Sequence, residues 1–277
     1  MIKLELINVT SIVTNGRAIW EREAHVQLIV ETLVPPEMAG EYHQQAMQYN
    51  KVLEVGPVDP EQNKAAAGVG ILAVKGLRPY KLPNPTDDIK DAEATGRCAI
   101  YCLDLAGQTL TIAVIYGWTG GTKGSPEAAR TDDIIAIVRS QSQLMERGPK
   151  LIAADLNGSI NAFPTLESML ADHEWVDVGM AEDKCEGKPG QPTCHTNAEA
   201  RETRIDYLIA NAQLMLAISK CWVDNTSCFP THRPLAIEFC TNKLETVVNQ
   251  LQVQTIFADL FEAKVQTTYE QQEDKQQ

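Results

Sequence analysis

Ile2, Leu4 and Leu6 alternate with Lys3 and Glu5, and the run closes on Asn8. An apolar period of two marks a half-buried strand. Residues 26–30 form a second apolar run ending on Glu31, and residues 68–74 a third. Residues 97–105 and 109–116 read as two strands joined by Ala106-Gly107-Gln108, a hairpin signal. Leu151-Ile-Ala-Ala-Asp155 is a short buried strand, with Asn157 two residues beyond its Asp. Residues 175–178, 203–210, 215–223 and 235–239 complete the expected strands. Helical spacing predicts helices over 16–24, 37–49, 126–147 and 165–173, and Ser125-Pro126 suits the cap and first turn of the third. Residues 79–96 hold three prolines and an acidic run and read as a surface excursion. From Asn242 the pattern changes. Leu244, Val247, Val248, Leu251, Ile256, Leu260 and Phe261 recur at helical spacing before a Gln- and Glu-rich end. This divides the chain into a domain over 1–240 and a helix with a polar tail or linker over 241–277.

Polar residues recur where the apolar runs stop. Residues i and i+2 of a strand share a face, so Asp155 and Asn157 emerge together at a carboxyl end, where open α/β sheets place ligands. Such a pair can align a water and hold a phosphate oxygen. Alone, it also suits the start of a turn before Gly158. Asn8, Glu31, Tyr116 and the pair Asp206 and His232 mark other strand ends or the loop before the last strand. By itself Glu31 reads as an exposed charge opening a loop, Asp206 as a partner for Arg204, and His232 as a surface residue beside Pro234.

The chain has 277 residues, 44% hydrophobic and 22% charged, proportions ordinary for a globular protein. No apolar run approaches the ~20 residues of a membrane span, so no membrane partner is expected. The first residues read as a strand and not as a signal peptide. Seven cysteines, an odd number, are scattered without a framework, which points to reduced thiols and an intracellular protein. Cys185, Cys194-His195, Cys221 and Cys228 lack zinc-ligand spacing. The loop 117–124 has glycines and a Lys but no phosphate-binding signature, and its Trp118 is placed to stack on a base. The net charge of −13 excludes a global basic footprint for nucleic acid. Two readings remain: a substrate that is no long polyanion, or a local basic patch working with a divalent metal held by carboxylates.

Seven pieces stand in order: Leu-Ile-Asn8-Val, Val-Gln-Leu-Ile-Val-Glu31-Thr, Gly-Val-Gly-Ile-Leu, Val-Ile-Tyr116, Ala-Asp155-Leu-Asn157, Arg204-Ile-Asp206-Tyr-Leu-Ile and His232-Arg-Pro-Leu. Over about residues 1–240 this series resembles the endonuclease/exonuclease/phosphatase superfamily. The resemblance implies a four-layer α/β sandwich, two packed mixed sheets flanked by helices, and metal-dependent hydrolysis of phosphoesters. Carried over by position, it implies that Glu31 and Asn8 bind Mg²⁺, with Mn²⁺ as a substitute. Asp155 would orient or deprotonate the attacking water, and Asn157 would hold the scissile phosphate. His232 and Tyr116 would contact that phosphate, with Asp206 accepting a hydrogen bond from the other His232 ring nitrogen. The chemistry is self-consistent, since a hard cation on carboxylates offsets the charge of a phosphodiester and an imidazolium, a phenol and an amide supply donors.

Two positions depart from the family pattern. Its closing Ser-Asp-His is Pro230-Thr231-His232 here, which removes a carboxylate, and Tyr116 is followed by Gly117-Trp118-Thr119 in place of a Pro and a phosphate-binding Asn. The first reading is a DNA endonuclease of LINE-type retroelement character. A reverse transcriptase would then lie downstream, the site of action would be nuclear, and DNA would be bound through a local patch. The alternatives are a phosphomonoesterase for inositol phosphates or another small substrate, and a catalytically impaired binding module, which Thr231 favours.

Overall fold

A computed structural model describes residues 1–60, 67–195, 202–226 and 229–244. In chain order the elements begin with β1 (Ile2–Asn8), α1 (Ile12–Trp20), β2 (Val26–Val30), α2 (Ala39–Gln48), β3 (Lys51–Val55) and β4 (Val69–Val74). Then come β5 (Tyr80–Lys81), α3 (Asp87–Ala94), β6 (Cys98–Leu105), β7 (Gln108–Tyr116), α4 (Pro126–Leu144) and β8 (Lys150–Asp155). The last are α5 (Pro164–Ala171), β9 (Trp175–Asp177), β10 (Asp206–Asn211), α6 (Ala212–Ala217), β11 (Ile218–Val223) and β12 (Leu235–Phe239).

The strands form two six-stranded sheets, ordered β11-β12-β1-β2-β4-β3 and β5-β6-β7-β8-β10-β9. Each sheet holds one parallel pair, β1–β2 and β7–β8. A parallel pair needs a crossover, and α1 and α4 supply the two. The inner faces meet in one core that includes Leu4, Leu6, Leu28 and Val30 from the first sheet and Ile112, Val114, Ala153 and Leu208 from the second. On the outer face of the second sheet, Ile134, Val138, Leu166 and Met169 of α4 and α5 cover Ile115 and Ile152. On the outer face of the first, Ile12, Ile19, Tyr42 and Ala46 of α1 and α2 cover Ile7, Ile29 and Leu72. The result is the expected helix–sheet–sheet–helix sandwich.

Period two then places the polar strand ends. Asn8 continues the inward face of Leu4 and Leu6, Tyr116 that of Ile112 and Val114, and Asp155 that of Leu151 and Ala153. All lie at the carboxyl ends of the parallel strands.

Several expectations are corrected. The first helix spans Ile12–Trp20 and not 16–24. The excursion 79–96 contains β5 and α3. Residues 215–223 are divided between the end of α6 and β11. β3 was not anticipated at all. The fourth expected helix starts at Pro164, where Pro suits a first helical turn. The hairpin between β6 and β7 turns on Ala106 and Gly107, both with positive φ, which suits a two-residue turn. Of the expected C-terminal helix and tail, residues 245–277 lie outside the described residues. Among the described residues, no helix is long and apolar enough to cross a membrane.

Candidate active site

Two hydrogen bonds tie the sheets together at this end. Asn8 Nδ2 donates to Asp155 Oδ2 at 2.8 Å, from the end of β1 to the end of β8. His232, in the loop before β12, places Nδ1 3.0 Å from Asp206 Oδ2 at the start of β10. Asp155 and Asp206 are direct partners in the antiparallel β8–β10 ladder, and Tyr116 is Asp155's partner on the other side. Three side chains thus stand in a row across the second sheet. Asp155, Asp206 and His232 each bring a ligand atom within 4.8 Å of one another. Asp155 is fully buried, and Asp206 and His232 are 2% and 8% exposed.

Burial, then the charge of Asp206, pushes the Asp155 carboxyl up to about 7, against the pull of His232 and of hydrogen bonds from Asn8 and the Asn157 N–H. Burial disfavours charge on His232, but Asp206 outweighs it, and the imidazole rises to about 11 with help from the Cys194 thiol and Asp155. Near neutral pH the ring is therefore an imidazolium, with His232 Nδ1 the donor to Asp206. Burial and the charges of Glu31 and Asp155 hold the Tyr116 phenol above its ordinary value, so it stays a neutral donor.

The remaining expected residues sit at the rim. Glu31 and Asn157 both adopt left-handed backbone, with φ of 58° and 51°, a strained conformation for a non-glycine residue that concentrates at functional sites. Asn157 N–H donates to Asp155 Oδ1 at 3.1 Å, and its side chain donates to Gly117 O at 3.0 Å. Glu31 lies outside the 4.8 Å cluster but close enough to Tyr116 for its charge to be felt there. The Oδ1 of Asn8 accepts from Thr10 N–H at 2.8 Å. Thr231 precedes His232, is half-buried, and accepts from His195 N–H through its carbonyl.

The loop after Tyr116 is clamped against the Asn157 turn. Gly117 N–H donates to Asp155 O at 2.7 Å, and a Cβ on Gly117 would lie 2.5 Å from Leu156 O, so only glycine permits this approach. Trp118 is engaged by two guanidinium groups, Arg97 at 4.6 Å and Arg130 at 4.3 Å from the ring centre. Arg97 is itself buried, pairs with Asp59 at 3.2 Å and donates to Gly117 O at 3.1 Å. The aromatic face read from the sequence as a stacking surface for a base is thus already a cation–π partner.

Other supporting residues went unnoticed in the sequence. Thr193 is fully buried, and its Oγ1 accepts from both Ile205 and Asp206 N–H, at 3.2 and 3.1 Å. Residues 193–195 pair with Thr203 on one side and with 231–233 on the other, so this short segment sets the spacing of Asp206 and His232. Nothing in the pattern of the sequence marks this segment. Arg204, the alternative partner for Asp206, forms a two-pronged ion pair with Asp177, at 2.6 and 2.7 Å, so the alternative is set aside in favour of the pair with His232.

This architecture is the endonuclease/exonuclease/phosphatase fold. Solved structures of that class match the chain along most of its length. A 3′ phosphatase, NExo, from Neisseria, bound to a product DNA hairpin, superposes with a TM-score of 0.67 at 13% identity, covering 87% of this chain and 100% of that one. An AP endonuclease from Archaeoglobus fulgidus gives 0.65 at 16% identity, with 86% and 99% covered. The endonuclease domain of TRAS1, a telomere-specific non-LTR retrotransposon, gives 0.60 at 12% identity, with 87% and 98% covered. At these identities the likeness establishes the fold. No protein-family model matches the sequence, and no curated protein does.

Proposed function

We propose that this chain is a divalent-metal-dependent phosphodiesterase that nicks DNA, of the retroelement endonuclease kind. The observation that carries the reading is the pair of cross-sheet bonds, Asn8 to Asp155 and His232 to Asp206, meeting at the carboxyl ends of the two parallel strand pairs. A carboxylate raised to about 7 is matched to proton transfer at neutral pH. Asp155 accepts the proton of the attacking water. The His232 imidazolium and the neutral Tyr116 phenol donate to the phosphate oxygens as charge builds on them. Asp206 holds the ring charged and oriented, and Asn157 positions the phosphate from the adjoining turn.

The donor set fits a hard cation. Glu31, the Asn8 amide oxygen and the neighbouring carboxylates are oxygen ligands suited to Mg²⁺ or Mn²⁺. The crowding of Asp155 against Asp206 is the excess negative charge that such an ion would offset. Glu31 and Asn8 would hold it, and bound there it supplies Lewis-acid stabilisation of charge at phosphorus. The retroelement assignment is supported by the TRAS1 likeness and by the Arg204-Ile-Asp206-Tyr wording. It carries with it a nuclear site of action and a downstream reverse transcriptase. A second reading, phosphomonoester hydrolysis of a small substrate, is favoured by the net charge of −13 and by the phosphatase named among the fold's relatives.

Plasmid nicking with Mg²⁺ or Mn²⁺ tests the first reading. Supercoiled DNA should relax to the open circle, and Asp155→Asn should abolish the conversion. Phosphate release from inositol phosphates, with DNA left intact, would replace the first reading by the second. No hydrolysis of either, together with no metal binding, would leave a binding module.

A further inference from the structure

Away from the site, two cysteines meet. Cys185 follows β9 and Cys221 lies in β11, and they are direct partners in a parallel bridge. Cys221 N–H donates to Lys184 O and Glu186 N–H donates to Cys221 O, both at 2.8 Å. The bridge lays the segment that follows β9 against β11, an edge strand of the first sheet. Paired strands lie about 4.8 Å apart, inside the ~4.4–6.8 Å Cα separation that a disulfide requires. Both side chains line one small cavity with Gly179, Lys188 and Arg204. Cys185 is half-buried, with its thiol 3.3 Å from Gly179 O, whereas Cys221 is buried. A reagent therefore meets Cys185 first.

We propose that Cys185 and Cys221 form a redox pair that closes to a disulfide on encountering a small disulfide oxidant, of which glutathione disulfide is the probe. Cys185 loses its proton and its sulfur attacks one sulfur of the oxidant. The S–S bond of the oxidant breaks, and one glutathione leaves and takes up a proton. Cys221, likewise deprotonated, attacks the Cys185 sulfur of the mixed disulfide and expels the second glutathione, which is protonated in turn. Two protein thiols are oxidised and one glutathione disulfide is reduced to two thiols. Burial raises both thiols, and Arg204 opposes that rise, so exchange is slow. The ring closed by the bond runs from 185 to 221. It contains Thr193, Arg204 and Asp206, so oxidation ties down the segment that carries one carboxylate of the candidate site without touching that site.

The full chain, folded, is exposed to glutathione disulfide, then denatured, alkylated, digested and mapped by mass spectrometry. The expected product is a Cys185–Cys221 linked peptide, absent from Cys185→Ser and reversed by dithiothreitol. A ring of this length should raise the thermal midpoint by roughly 5–15 °C. Cys185→Ser alters a half-buried position and serves as the folded control. It should show no oxidant-dependent rise, and a midpoint that rises in it as in the wild type would overturn the proposal. So would full alkylation of both cysteines after prolonged exposure, or a link from Cys185 to any other cysteine.

Discussion

Asp206→Asn removes one charge from the cluster at almost constant volume. The interaction lost is the charge on the 3.0 Å bond to His232 Nδ1, which an amide oxygen still accepts, between groups that are nearly inaccessible to solvent. Breaking a buried pair of this kind costs ~3–5 kcal/mol. Part of that is recovered, because Asp206 also repels Asp155, and His232 keeps Asp155 as an anionic neighbour at 3.8 Å. A net loss of about 2 kcal/mol at pH 6.5 follows, or roughly 4–8 °C in thermal midpoint for a domain of this size. The pH dependence has a definite sign. An imidazole raised from 6.5 to about 11 by folding stabilises the fold fully below about pH 6.5, and that contribution is lost as pH rises towards 11. Asp155 adds to the trend. Its carboxyl, raised to about 7 in part by Asp206, costs stability as it ionises, and the variant is relieved of that part. The gap between wild type and variant should therefore narrow from pH 6.5 to pH 9.5. Thermal unfolding followed by tryptophan fluorescence in EDTA measures it without interference from bound metal. A gap that stays constant or widens over that interval would refute the reading of His232 as an imidazolium held by Asp206.

Asn8→Ala removes the 2.8 Å donor to Asp155 and the acceptor for Thr10 N–H. It should cost about 2 kcal/mol in urea unfolding. Because that donor lowers the Asp155 pKa, the acid limb of the nicking pH–rate profile should move to higher pH, and an unmoved limb counts against Asp155 as the base. Gly158→Ala drives a Cβ onto Gly121 O and to 3.0 Å from Phe163. It should destabilise by about 1–3 kcal/mol, seen as a lower urea midpoint, and a wild-type midpoint would show that the two loops part freely. Thr231→Asp places a carboxylate beside His232 and should lower the Mg²⁺ concentration for half-maximal nicking about tenfold, or ~1.4 kcal/mol of binding. A titration that superposes on the wild type would rule out position 231 as a missing ligand.

Alternation was the legible part of this sequence. Leu4-Leu6-Asn8 and Leu151-Ala153-Asp155 each carry an apolar face to its end and then replace it with a polar group, so the polar group had to face the space between the sheets. β3 escaped notice because it opens on Lys51, whose amine is buried by donating to the carbonyls of Ile19 and Arg22 at 3.2 and 2.7 Å. No period in the sequence reveals those partners. α3 shows only Ile89 and Ala92 to the core amid acidic residues, too narrow a stripe to separate it from a loop. α6 runs into β11 without a break, so the apolar period changes from helical to strand within the run Leu214 to Val223. Thr193 was illegible for a different reason: its role is to accept two backbone N–H groups, and a single Thr in a polar loop carries no sign of that.

The site belongs to neither sheet. Asn8 and His232 come from the side of the first sheet, Asp155 and Asp206 from the second, and each cross-sheet bond joins one member of each pair. Its geometry therefore reports how the two sheets are seated on each other, which the shared core of Leu6, Leu28, Val114 and Ala153 decides. Cores are close-packed, and a one-methylene change is felt by its neighbours. A cavity made at Leu6, two residues before Asn8 on the same face, would then disturb Asp155 from the opposite sheet before it unfolds the domain. The departures at Gly117 and Thr231 act in the other direction. Both cross-sheet bonds stand with Gly at 117 and Thr at 231, so the buried pairs need no carboxylate at position 231.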